Sequence, residues 1–249
     1  AAVAPTQEVP NLTASFAGNA DYILIPANAS LDVSTDLTVE AWIYPTGLGS
    51  GGGIGGTVLS QEGAYTFARW GDGNMYFAVA NTSHGYGWVY SGVNAPLDTW
   101  SHWAFTYSAT TGLTTSYIDG VPGAPIAVTG AIGDITPGQN DVWIGEREIS
   151  PHAFDGEIDE LRVWNVARSE EEIGNAYTKS LTPAEAQSVP GLVGYWTFDD
   201  GTANDLTANG NSGSFVNQAG IVGSPESFGG NTAPAAGSGV VVSLFTDET

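Results

Sequence analysis

Between Phe154 and Asn165 the chain reads Phe-Asp-Gly-Glu-Ile-Asp-Glu-Leu-Arg-Val-Trp-Asn, an alternating run with Glu157 and Asp159 two residues apart. On a β-strand such residues share a face at roughly 6.5–7 Å. A hydrolytic strand of the Glu-x-Asp-x-Glu kind sets a nucleophile, a helper and an acid in one such row. Cleaving a glycosidic bond with retention needs two carboxyl groups about 5–5.5 Å apart across the bond. Glu157 and Asp159 fill the first two places. The third falls on Leu161 in a regular strand, or on Arg162 if a bulge adds a residue, and neither protonates a leaving group. The favoured reading is a strand whose acids bind backbone or metal, with Arg162 and Glu160 as a packed ion pair.

A second kind of chemistry lies in Ser83-His84-Gly85-Tyr86-Gly87-Trp88-Val89-Tyr90. If this segment is extended, His84, Tyr86, Trp88 and Tyr90 share one face and the two glycines fall on the other. Such a ladder of rings could stack on a sugar or an elongated glycan; the favoured reading is that the face is core or interface, since aromatic rings are more often buried than ligand-binding. Trp70, beside Gly71-Asp72-Gly73, reads as a lone turn aromatic.

Other chemistries find little support. His84, His102 and His152 lack the spacing of a zinc site. No Gly-x-Ser-x-Gly elbow and no cysteine nucleophile occur, and the glycine-rich stretch 49–56 lacks the Lys-Ser/Thr of a phosphate cradle, so it reads as a hairpin tip. Asn11, Asn28 and Asn81 open glycan-acceptor triplets.

The elements that must position these residues are short alternating runs separated by Gly- and Asp-Gly-rich turns. Strands are predicted at 12–17, 22–25, 37–44, 57–60, 65–69, 75–80, 87–91, 100–108, 114–118, 142–145, 156–164 and 192–198, a pattern of antiparallel two-sheet sandwiches. Both faces of 37–44 carry bulky groups, which implies one lined, concave sheet face. Ser169 with Glu172, and Thr182-Pro183 with Glu185, are capping boxes and predict two short connector helices covering an edge. The expected organisation is a lead over 1–11, a sandwich over 12–222, and a Gly/Pro/Ser linker with a terminal strand over 223–249, its apolar residues being Val240, Val241, Val242, Leu244 and Phe245.

Bulk composition narrows the partners. With 42% hydrophobic residues in 249, the chain can bury a sizeable core as one domain. Its net charge of −22 comes from 27 acids against five bases, Arg69, Arg147, Arg162, Arg168 and Lys179. That field repels nucleic acid and anionic lipid and favours cations. No apolar run approaches the ~20 residues of a membrane span. The absence of cysteine excludes a disulfide framework, and an Ala-Ala-Val-Ala-Pro opening without Met reads as a mature exported protein, of bacterial or archaeal source.

Several pieces, in order, resemble one family: Phe16–Pro26, Leu37–Pro45, Trp100–Tyr107, Tyr117-Ile-Asp-Gly120, Ile144-Gly145 and Phe154–Asn165. Together they are similar to the laminin-G-like, pentraxin-like branch of the concanavalin A-like jelly rolls, with matching order from about Leu12 to Phe215. The segment Leu192–Gly201 resembles one that often precedes the first strand there, which implies a sandwich closed by its own C-terminal side. The resemblance implies an all-β jelly roll, carbohydrate, protein or adhesion ligands, usually no catalysis, and a structural calcium. The positions matching that calcium are Asp21 and Asp159, then Asp200 and Asp205. Calcium takes six to eight oxygen ligands; the alternative is that Asp21 caps a turn and Asp159 accepts N–H bonds.

Two roles follow as expectations. One is an exported, calcium-stabilised binding or adhesion module for glycans or extracellular surface proteins. The other is a structural subunit of an extracellular filament, sheath or surface layer, in which Val240–Phe245 adds to a neighbour's sheet edge and builds a homo-oligomer or polymer.

Overall fold

Strand alternation builds the molecule. In the third strand Val39, Ala41 and Ile43 are fully buried in the hydrophobic core, while Glu40, Trp42 and Tyr44 take the opposite face. The computed structural model describes residues 11–51, 55–149 and 152–224. Its strands are β1 (Asn11–Ala17), β2 (Tyr22–Ile25), β3 (Asp36–Pro45), β4 (Gly56–Gln61), β5 (Tyr65–Arg69), β6 (Asn74–Val79), β7 (Val89–Asn94), β8 (Ser101–Ser108) and β9 (Leu113–Ile118). They continue as β10 (Val121–Pro122), β11 (Ile126–Ala127), β12 (Val142–Ile144), β13 (Asp155–Trp164), β14 (Leu192–Trp196), β15 (Ser214–Val216) and β16 (Gly220–Ser224). Helices α1 (Glu170–Ala176) and α2 (Pro183–Ala186) lie between β13 and β14.

Two antiparallel sheets result. The first runs β10-β9-β8-β3-β13-β1-β16, with β11 on β9 and β14 on β13; the second runs β15-β2-β12-β4-β5-β6-β7. Between them pack Phe16, Ile23, Leu37, Phe67, Phe77, Trp103, Phe105, Ile158, Leu161 and Trp196. Each such side chain contributes about 1.5–3 kcal/mol of burial. This is the expected all-β, two-sheet jelly-roll sandwich, and its C-terminal side closes it: β15 pairs with β2 and β16 with β1.

Both predicted capping boxes are present, with Ser169 and Thr182 as N-caps reciprocated by Glu172 and Glu185. Helix α1 does more than cover an edge. It lies over a sheet face, its buried Ile173 packing with Ala104 and Tyr117. Four short strands, β10, β11, β15 and β16, went unread. The proposed assembly residues Val240, Val241, Val242, Leu244 and Phe245 lie outside the described residues.

Candidate functional site

At the start of β13 its backbone lies closer to that of β3 than any side chain at residue 156 would allow. Gly156 adopts φ +143°, and a Cβ there would sit 2.1 Å from the Tyr44 carbonyl oxygen. Beyond it, Glu157 stands opposite Tyr44 and Asp159 opposite Trp42, on the outer face of the first sheet. The register then shifts so that Arg162 stands opposite Glu40. A bulge at Glu160, with φ +51°, supplies the extra residue and returns Leu161 to the core. The third place of the acidic row is thus Arg162, and no proton donor stands there.

Asp159 is 1% exposed and accepts from the Asn11 amide at 3.1 Å and the Glu160 N–H at 2.7 Å. Burial, with the charges of Glu160 and Asp199, pushes its carboxyl well above the ordinary range. Glu157 is half-buried and accepts the Thr13 hydroxyl at 2.7 Å.

Next in the row lies a buried charge network. Glu40 accepts from Trp164 Nε1 at 2.9 Å and Arg168 at 2.8 Å, with Arg162 and the His102 ring both at 3.7 Å. Burial pushes the Glu40 carboxyl up, yet Arg162, His102, Arg168 and the Trp164 N–H together hold it below the ordinary value. Burial depresses His102 to about 4, which Glu40 only partly opposes, so the ring is neutral near pH 7. Arg162 pairs with Glu160 at 2.5 Å, as expected, and Tyr195 and Ser180 also donate to Glu160 at 2.5 and 2.8 Å. The chemistry of this network is cohesion.

The four acids matched to calcium are engaged separately. Asp21 accepts the N–H groups of Ala17 and Gln218 at 3.0 and 2.9 Å. Asp200 accepts from Thr202 and the Asn204 amide, and Asp205 from the N–H groups of Tyr195, Thr207 and Asn211. Among the described residues no three His, Asp or Glu side chains are grouped as metal ligands. The hydrogen bonds at Asp21, Asp159, Asp200 and Asp205 occupy only part of each carboxylate, and a calcium there is what the resemblance implies.

The aromatic ladder is rearranged. Asn81 Oδ1 accepts the N–H groups of Ser83 and His84, both at 2.9 Å, and Asn81 bridges Gly85, so the chain turns at His84 instead of running extended. His84 is exposed on that turn, away from a shared face. The other three rings belong to the outer face of the second sheet. There the strands carry small residues: Ser60, Thr66, Ala68 and Ala78 are at most 3% exposed, although they lie outside the core cluster between the sheets. Tyr86 reaches over them, its hydroxyl 2.7 Å from Thr66 Oγ1. Trp88 lies under the Arg147 guanidinium at 5.5 Å, and Glu62 grips Arg147 with two bonds of 2.6 and 3.0 Å. Tyr90 stands opposite Tyr76, is 45% exposed, and its ring lies 5.5 Å from that of Tyr76.

Sequence reasoning missed the rest of this face. Trp70 is not a lone turn aromatic but stacks on Tyr76 at 3.9 Å, and Tyr22 stacks on Trp143 at 3.9 Å. The signal was alternation: Tyr22 and Leu24, and Trp143 between Val142 and Ile144, are the out-facing members of strands whose other residues are core. From Tyr22 on β2 to Tyr90 on β7 the sheet crosses six strands, ~24 Å at the usual spacing. By contrast, a cleft of about 290 Å³ bounded by Ser30, Asp32, Thr35, Asn165 and Asn209 has no aromatic lining. Among the described residues no helix is long and apolar enough to cross a membrane.

Comparison with known proteins bears on fold and family. A candidate carbohydrate-binding protein from Bacteroides ovatus superposes with a TM-score of 0.67 at 21% identity, covering 87% of this chain and 61% of that one. The native heptameric SAP-like pentraxin from Limulus polyphemus superposes with a TM-score of 0.54 at 15% identity, covering 86% and 95%. At such identities the likeness is one of fold, and the chain spans only 61% of the Bacteroides protein's length. No curated protein matches the sequence. The family model Laminin_G_3, described as Concanavalin A-like lectin/glucanases superfamily, matches residues 17–174, well over half the chain. The ordered motifs and the sandwich they build therefore carry this conclusion: the chain belongs to the Laminin_G_3 family of the concanavalin A-like lectin/glucanases superfamily.

Proposed function

We propose that the protein is a non-catalytic, exported carbohydrate-binding module that recognises an elongated glycan on the outer face of its second sheet. The observation carrying this reading is the set of partly exposed rings Tyr22, Trp143, Trp88, Trp70, Tyr76 and Tyr90 laid over a floor of buried small residues. Rings with apolar faces and polar edges stack on sugars, and Trp88 is held by a braced guanidinium, so little side-chain freedom is lost on binding. Arg162 in the third acidic place supports a binding role over hydrolysis. Ring stacking calls for no metal, so this reading stands apart from the structural calcium that the resemblance implies. The filament alternative rests on Val240–Phe245, and no observation among the described residues favours it.

A glycan array followed by calorimetry tests the proposal. Tyr90→Ala and Trp88→Ala are each expected to weaken the best glycan roughly tenfold or more, about 1.5 kcal/mol for a lost stacking contact, with affinity unchanged by a chelator. Binding that survives both substitutions would remove the face from consideration. Release of reducing ends that disappears in Glu157→Gln would remove the non-catalytic reading.

A further inference from the structure

We infer that the opposite sheet carries a second site, selective for glycans bearing free, protonated amino groups. The inference rests on the glycan-binding reading for the sugar and on its own geometry for the amine. On the outer face of the first sheet, strand register sets Tyr44, Glu157, Ser15 and Gly220 in one row across β3, β13, β1 and β16. Trp100 stands beside Tyr44, the two rings 5.4 Å apart and tilted by 40°. The four strands of this row place Tyr44 and Gly220 ~14 Å apart, room for more than a single sugar ring.

Three features select a cation. First, Glu157 has no ion-pair partner among the described residues, and its single hydrogen bond, from Thr13, leaves lone pairs free. Second, four of the five bases are committed elsewhere: Arg69 to the Ala95 carbonyl, Arg147 to Glu62, Arg162 to Glu160 and Arg168 to Glu40. Third, among the described residues the row offers a carboxylate, two hydroxyls and the Tyr44 ring but no cationic or amide side chain. Ring faces and carboxylate both attract positive charge, and a net charge of −22 concentrates cations around them. An ammonium seated between Glu157 and the ring of Tyr44 directly opposite meets a charge-assisted hydrogen bond and a π face together.

Calorimetry at pH 6 with a β-1,4-linked glucosamine hexamer, its fully N-acetylated counterpart and an oligolysine peptide tests this on the full chain. Expected is binding of the glucosamine hexamer that weakens about tenfold or more in Glu157→Gln, weakens in Tyr44→Ala, and falls with added salt, with the acetylated hexamer at least tenfold poorer. Unchanged thermal unfolding of Glu157→Gln confirms that folding is intact. Equal binding of both hexamers, or Glu157-independent binding, would overturn the inference. Glu157-dependent binding of oligolysine without the glucosamine hexamer would overturn its assignment to a sugar. Failure here with Tyr90-dependent binding of neutral glycans intact would leave the proposed function standing.

Discussion

Glu40 shows how one buried carboxylate organises its surroundings. It is fully buried, touches two guanidinium groups and an indole N–H, and belongs to a strand that otherwise reads as an ordinary alternating run. Replacing it with Gln keeps the shape but leaves Arg162 and Arg168 undercompensated in a dry site. Breaking a buried pair on one side costs about 3–5 kcal/mol. Urea unfolding of Glu40→Gln should show a loss of that size; a change within about 0.5 kcal/mol would show that the arginines find other partners. The same network makes His102 the odd one of three histidines. Its ring should titrate at about 4 by NMR, and a value near 6.5 would mean that the site is wet. At this scale the sequence was partly legible. The Arg162–Glu160 pair could be read because both residues lie in one strand, whereas Glu40 and His102 join them only through register across three strands.

Elements were legible where a local signal sufficed. Alternation located twelve strands, and the capping boxes located both helices, because each box satisfies backbone N–H groups within four residues. Ser169→Ala should therefore cost about 1 kcal/mol, since the Ser169 hydroxyl both donates to Glu172 and accepts its N–H. The same change should loosen the cover that α1 lays over His102 and Trp42, where Trp42 Nε1 donates to the Tyr177 carbonyl at 3.1 Å. Hydrogen exchange of the Trp42 indole tests the link, and unchanged exchange would confine the cap to the helix. Strands β15 and β16 escaped reading because Ser-Phe-Val and Gly-Ile-Val-Gly-Ser are short and glycine-bounded; their strand state comes from pairing with β2 and β1. The broken ladder at His84 was a local misreading. Asn81, with Gly85 four residues on at φ +64°, is a turn signal that outweighs aromatic periodicity.

For the whole molecule, the excess of acid sets how stability depends on solution conditions. Burial raises the carboxyls of Asp159, Glu160, Glu146 and Asp199 above their ordinary values. An acid with a raised folded pKa contributes stability that is complete below its unfolded value and is lost as pH climbs through the folded one. Glu40 has the opposite sign: its folded pKa is depressed, so its contribution is present above the unfolded value of 4.5 and disappears as pH falls through the folded value. A net charge of −22 adds self-repulsion that protonation relieves and salt screens within about 8 Å at physiological strength. Thermal unfolding from pH 8 downward should therefore show Tm rising to a maximum at about pH 5 and falling below about pH 4. Raising ionic strength should increase Tm most at pH 8, where the charge is greatest. Surface repulsion and buried acids separate in Asp159→Asn, which removes a buried carboxylate and only one charge. If burial governs the slope, this variant flattens the rise between pH 8 and pH 5 even in high salt. If its slope matches that of the parent chain once salt is added, the pH dependence belongs to the surface field alone.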